Sequence, residues 1–126
     1  PAVAVRTADA YAWVTPAAFS DGRRARALAD ALRRRRTREV VANLYNGLEA
    51  AVVPRYPEIG RVKTALLAAG ALGAVMSGSG PTVVGVARSF EHARQLRRRL
   101  TRGTWRCWAV RALAGPAIRV RRTATR

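Results

Sequence analysis

The chain has 126 residues, with 24 Lys or Arg against 7 Asp or Glu, a formal net charge of +17. A hydrophobic fraction of 49% supplies one modest core and argues against a disordered chain. One cysteine, Cys107, excludes an internal disulfide, and one histidine, His92, argues against a zinc cluster or a Ser-His-Asp triad.

The lone thiol fits a reducing compartment. No apolar run is long enough to span a bilayer and no signal peptide is visible, so a cytoplasmic, bacterial location is expected and no membrane partner. The chain opens on Pro1 rather than Met, which reads as a fragment, a processed product or a truncated gene model. The basic residues are nearly all arginine, Lys63 being the single lysine. Such a field attracts anions and nucleic acid non-specifically. An Ala- and Arg-rich chain is also what a GC-rich genome produces on solvated faces.

In chain order, Val5 to Val14 predicts a helix with Thr7 at its N-cap and Ala8, Tyr11 and Val14 on one face. Thr15-Pro16 interrupts it, and Asp21-Gly22 makes a turn whose Asp21 can cap the next helix. There Ala25, Leu28, Ala29 and Leu32 fall at i, i+3, i+4 and i+7, and Arg33 to Arg36 form a solvated end. Glu39 to Val53 predicts a further helix, with polar Asn43, Asn46 and Glu49 beside its apolar stripe and Pro54 ending it. Pro57 starts another in its first turn, Ile59, Val62, Leu66 and Ala69 line one face, and Gly70 caps its end.

Leu72 to Met76 and Thr82 to Ala87 predict strands around a Ser77-Gly78-Ser79-Gly80 loop. Ser89 caps a helix to Leu100 whose wet face carries Arg94, Arg97, Arg98 and Arg99, with His92 a solvated bystander. Trp105 to Leu113 alternates as a strand, with Trp105, Cys107 and Ala109 on one face and Arg106, Trp108 and Val110 on the other. Gly115-Pro116 ends it, before a short edge strand at Ile118 to Val120 and a frayed basic tail. Helices followed by β-β-α-β fit an α+β fold.

The Ser77–Gly80 loop reads two ways. Glycines at alternate positions let the backbone turn and its N–H groups converge on an anion. The same residues also make a plain glycine-rich connection. No Lys-Ser/Thr ending follows, so this is not a Walker A loop, and the spacing does not match a dinucleotide fingerprint.

Four segments in order resemble the C-terminal domain of the 4-diphosphocytidyl-2-C-methyl-D-erythritol kinases, within the GHMP (galactokinase, homoserine, mevalonate, phosphomevalonate) kinase superfamily. They are Val5-Arg6-Thr7-Ala8-Asp9-Ala10-Tyr11, Asn46-Gly47-Leu48-Glu49-Ala50-Ala51-Val52, Tyr56-Pro57-Glu58-Ile59, and Gly70 to Thr82, the last similar to that family's third glycine-rich motif. Arg6 stands where the family has Ser, and Gly47 where it has Asp. The glycine motif alone also fits homoserine kinases.

The resemblance implies an α+β domain at residues 1–114, followed by an edge strand and basic tail at 115–126. It implies an antiparallel or mixed sheet of about four strands with helices mainly on one face. It further implies ATP, with Mg, as cofactor of the complete enzyme, and a cytidine-diphosphate methylerythritol substrate in non-mevalonate isoprenoid biosynthesis. Ser77, Gly78, Ser79, Gly80 and Thr82 would then lie near the ATP phosphates, with Thr7, Asn46 and Glu49 supporting the substrate cleft. The catalytic residues would lie in an N-terminal kinase domain, the expected partner, so the chain alone is expected to be inactive. The competing reading is a basic nucleic-acid- or ribosome-associated module, which rests on the charge.

Overall fold

The structure, a computed structural model, describes residues 1–101 and 105–112. Within them the chain runs α1 (Thr7–Ala12), α2 (Arg23–Arg33), α3 (Thr37–Ala42), α4 (Glu49–Val52), α5 (Pro57–Ala68), β1 (Gly73–Met76), β2 (Val83–Val86) and α6 (Phe90–Leu100), with a 3-10 turn at Pro16–Ala18.

Helix α5 is the organising element. Pro57 occupies its first turn, where a missing N–H costs nothing. Its buried face carries Ile59, Val62 and Leu66. Gly70, at φ 105°, ends it in a left-handed turn. The Gly70 N–H donates to the Leu67 carbonyl at 2.9 Å, and the Ala71 N–H to the Leu66 carbonyl at 3.0 Å. That is the double bond of a Schellman cap.

The chain then turns directly into β1. β1 and β2 pair antiparallel, with Gly73 opposite Val86 and Met76 opposite Val83. Side chains alternate across such a ladder, so Ala74 and Met76 share a face with Gly85 and Val83. α5 packs on this face: a Cβ at Gly85 would stand 2.8 Å from Leu66. On the other face Gly73 receives Val41 and Leu44, while Val84 is 46% exposed.

Two apolar clusters meet at α5. One holds Ala10, Leu48, Val52, Ile59 and Met76; the other holds Val62, Leu66, Ala71 and Leu96. Helix α1 therefore buries Ala10, with Trp13 and Val14 alongside, while Tyr11 is 62% exposed. This corrects the expected Ala8–Tyr11–Val14 face.

Three further expectations are corrected. The helix over Glu39–Val53 is broken into α3 and α4, because Asn43 and Asn46 spend their side chains on backbone groups (Asn43 on the Glu39 carbonyl, Asn46 on the Leu48 N–H). The four-stranded sheet is a two-stranded hairpin among the described residues. Residues 105–110 do alternate half-buried with exposed, but they pair with no strand among the described residues. They stand off from β2 across a cleft of about 1350 Å³ lined by Val84, Leu96, Trp105 and Trp108. A strand forms only where a neighbour supplies N–H and carbonyl partners. The edge strand at Ile118 to Val120 and the tail lie outside the described residues.

Third, His92 is buried rather than solvated. Its Nδ1 accepts from the Arg88 backbone N–H at 3.3 Å, and its own N–H donates to the Ser89 hydroxyl that caps α6. Among the described residues no helix is long and apolar enough to cross a membrane.

Candidate functional site

The segment between α3 and α4 carries the side chains that hold the glycine-rich loop. Asn46 Nδ2 donates to the carbonyls of Met76, at 2.7 Å, and Gly78, at 2.8 Å. Its Oδ1 accepts the Leu48 N–H at 3.0 Å, which fixes the amide's orientation. Glu49, three residues on, accepts the Met76 N–H on Oε1 at 2.6 Å. Both backbone polar groups of Met76 are thus taken by side chains from one short stretch. Met76 is the last residue of β1, so the two peptides that flank it set the direction in which the loop leaves the sheet.

The loop itself is closed by the Ser77 N–H donating to the Thr82 carbonyl at 2.8 Å and the Gly80 N–H donating to the Ser77 carbonyl at 3.0 Å. Gly78 and Gly80 take positive φ, 56° and 86°. They need glycine for different reasons. A Cβ at Gly80 would meet Met76 Sδ at 2.9 Å, so this residue lies against the core. A Cβ at Gly78 would meet nothing within 4 Å, so the loop tip faces open space. Among the described residues the N–H groups of Gly78 and Ser79 have no protein acceptor. Successive unpaired N–H groups at an exposed tip suit an anion's oxygens.

From the far end of the chain, Thr7 reaches the same loop: its Oγ1 lies 3.0 Å from Ser79 Oγ. Thr7 is the first residue of α1, whose N-cap is Arg6, so its hydroxyl serves the loop and makes no cap. Thr7, Asn46, Glu49, Ser77, Gly78, Ser79 and Gly80 are therefore assembled together. Thr82 joins through its carbonyl, its residue being exposed.

Sequence reasoning missed Lys63, which pairs with Glu49 Oε2 from α5. The available signal was its place on the buried face, four residues after Ile59 and three before Leu66. Asn46, Gly47, Glu49 and Lys63 also line a cavity of about 430 Å³ beneath the Pro16–Ala18 turn. That turn is docked by Tyr45, whose hydroxyl donates to the Ala18 carbonyl at 2.9 Å.

Elsewhere, Trp105 donates its indole N–H to Glu58, which also pairs with Arg61. These bonds, the indole first, hold the Glu58 carboxyl below the ordinary range. Burial pushes the Cys107 thiol up, against the pull of Arg97. No cluster of metal-ligating residues occurs among the described residues. The arginines are spread over α2, α3 and α6, and many are paired locally with carboxylates, so no single recognition helix gathers them.

Comparison with known proteins agrees with this architecture. The family model described as "GHMP kinases C terminal" matches residues 28–106. The chain is 39% identical over 102 residues to the 4-diphosphocytidyl-2-C-methyl-D-erythritol kinase of Pelotomaculum thermopropionicum, covering 81% of this chain and 36% of the relative. It is 42% identical over 114 residues to the kinase of the same name from Symbiobacterium thermophilum, covering 90% of this chain and 40% of the relative. It thus spans about two fifths of the length of these relatives.

A crystal structure of 4-(cytidine 5'-diphospho)-2C-methyl-D-erythritol kinase superposes with a TM-score of 0.69 at 30% identity, covering 81% of this chain and 37% of that one. A homoserine kinase from Cytophaga hutchinsonii gives a TM-score of 0.63 at 28% identity, covering 81% and 34%. With the family model matching well over half of its residues, the chain belongs to the GHMP kinase C-terminal family.

Proposed function

We propose that this chain is the C-terminal part of an ATP-dependent kinase that phosphorylates 4-diphosphocytidyl-2-C-methyl-D-erythritol, and that it is inactive without an N-terminal kinase domain. The observation that carries this reading is the loop tip. Among the described residues the Gly78 and Ser79 N–H groups have no protein acceptor, and the tip at Gly78 is open, on a loop braced by Thr7 of α1 and by Asn46 and Glu49 of one short stretch. Phosphoryl transfer is mostly positioning and charge stabilisation, which rigid backbone donors supply.

In this reading Ser77, Gly78, Ser79 and Gly80 face the phosphates of ATP, and Thr82 closes the loop behind them. Thr7, Asn46 and Glu49 keep it in place. Mg comes with the nucleotide and is held by groups of the complete enzyme. The similar kinases share one name at 36% to 42% identity over most of this chain, which favours the cytidine-diphosphate substrate over homoserine.

The test of substrate class is direct. The chain is combined with the N-terminal part of the Symbiobacterium thermophilum relative and offered ATP with either acceptor. Phosphorylation of the cytidine-diphosphate methylerythritol and not of homoserine is expected. The reverse preference would contradict the reading.

A further inference from the structure

We propose that Lys63 is a positioning residue for the Ser77–Gly80 loop, acting through Glu49 and the backbone of Met76. Its functional consequence rests on reading that loop as phosphate-facing; its structural part does not.

All seven carboxylates of the sequence stand in ion pairs. Six of them pair within seven residues of themselves, mostly as exposed i,i+3 or i,i+4 contacts. Such pairs contribute little and set no tertiary geometry. Glu49–Lys63 differs. It joins residues 14 apart, on two helices, with side chains only 20% and 26% exposed.

A carboxylate held by one hydrogen bond can still swing about its terminal torsion, which is broad and roughly two-fold. Glu49 is held at both oxygens: Oε1 takes the Met76 N–H and Oε2 takes the Lys63 ammonium. Lys63 comes from α5, the helix anchored in both apolar clusters by Ile59, Val62 and Leu66. The position of α5 is thereby transmitted to the Met76 peptide, and so to the start of the loop. Asn46 fixes the next peptide, on the other side of the Met76 Cα, through the Met76 carbonyl. At the outlet of β1 the two peptides that flank the Met76 Cα are each clamped, and Lys63 is what keeps the first clamp in register.

The test uses the full 126-residue chain. Lys63→Met keeps the apolar stem and removes the ammonium. Glu49→Gln keeps an acceptor for Met76 and removes the charge. Nitrogen-proton NMR spectra follow the amides of Met76 and of Ser77 to Gly80, with Leu96 as an internal control. In both variants the loop signals should shift or broaden, and the Met76 amide should exchange about tenfold faster, the effect of weakening one buried hydrogen bond. The Leu96 amide should keep its exchange rate. Lys63→Arg should restore the signals in part, since a planar fork replaces a point charge imperfectly.

In the kinase reconstituted with the N-terminal part of the relative, Lys63→Met should lower kcat about tenfold with KM for the cytidine substrate within about twofold, as misplacement of a reacting group does. Loop signals and Met76 exchange that stay at wild-type values in both variants overturn the proposal. A displaced loop with unchanged kcat overturns its functional part. If wild-type chain gives no activity on reconstitution, the kinase reading fails, and the spectra still decide what Lys63 does.

Discussion

Asn46 Nδ2 lies 2.8 Å from the carbonyl oxygen of Gly78, 32 residues further along the chain. The amide donates its second hydrogen to Met76, so a single side chain spans the start of the loop and its tip. Replacing it tests whether the loop is held or merely adjacent. Asn46→Ala should cost about 2 kcal/mol, because two carbonyls lose their donor. Asn46→Asp should cost more than Asn46→Ala, since a carboxylate donates nothing and would face both carbonyl oxygens. Urea unfolding midpoints at constant slope measure both.

Gly47 carries a different constraint. A Cβ there would stand 2.5 Å from the Ala18 carbonyl oxygen, a backbone atom that cannot rotate away. Gly47→Ala should destabilise the chain by about 1–3 kcal/mol and displace the Pro16–Ala18 turn. The second effect is visible as quenching or release of the Tyr45 environment, since Tyr45 donates to that same carbonyl. The Pro16–Ala18 turn occupies the space that a side chain at position 47 would need.

Arg35 sits at φ 55°, the left-handed region, at the end of α2. The flanking bonds, Arg35 N–H to Leu32 at 3.1 Å and Arg36 N–H to Ala31 at 2.9 Å, form the same cap that Gly70 makes for α5. Here a β-carbon-bearing residue does a glycine's task. Arg35→Gly should stabilise the chain by about 1 kcal/mol, and Arg34→Gly should not. Thermal melts of the two variants provide the comparison.

Glu58 gives the acid limb of stability. Its carboxyl is held below the ordinary range by Trp105 and Arg61. A group with a lowered folded-state value adds stability above the unfolded value, about 4.3 for glutamate. That contribution is lost as pH falls through the folded value. Glu58→Gln should flatten this part of the stability profile and leave the neutral-pH slope unchanged. Glu58→Gln keeps an oxygen for the Trp105 indole, so its fluorescence should change little, whereas Glu58→Ala should free the indole and shift it.

Much of this architecture was legible in residue patterns, and the losses have physical causes. The α5 stripe, its Pro57 start, its Gly70 end and both hairpin strands follow from period and punctuation alone, because these elements are fixed by local rules. The break between α3 and α4 was hidden, since Asn43 and Asn46 look like polar residues on a helix until their partners are known. Thr7 looks like a cap in its local sequence because its real partner, Ser79, is 72 residues away. Residues 105–110 show strand alternation without a paired neighbour among the described residues, which no single-segment pattern reveals. The loop was found through its glycines, and Asn46 and Glu49 through motif likeness. A lone lysine on an amphipathic helix, such as Lys63, reads as a solvated residue until its partner Glu49 is known.

The central claim is that this chain carries the loop of a kinase whose catalytic groups lie in another domain. The decisive measurement is phosphorylation of 4-diphosphocytidyl-2-C-methyl-D-erythritol from labelled ATP. It is made with the chain alone, with the N-terminal part of the Symbiobacterium thermophilum relative alone, and with both together. The account predicts turnover only in the mixture, and its loss on Asn46→Asp. Turnover by the isolated chain at ordinary kinase rates, or none in a mixture shown to associate, would contradict it.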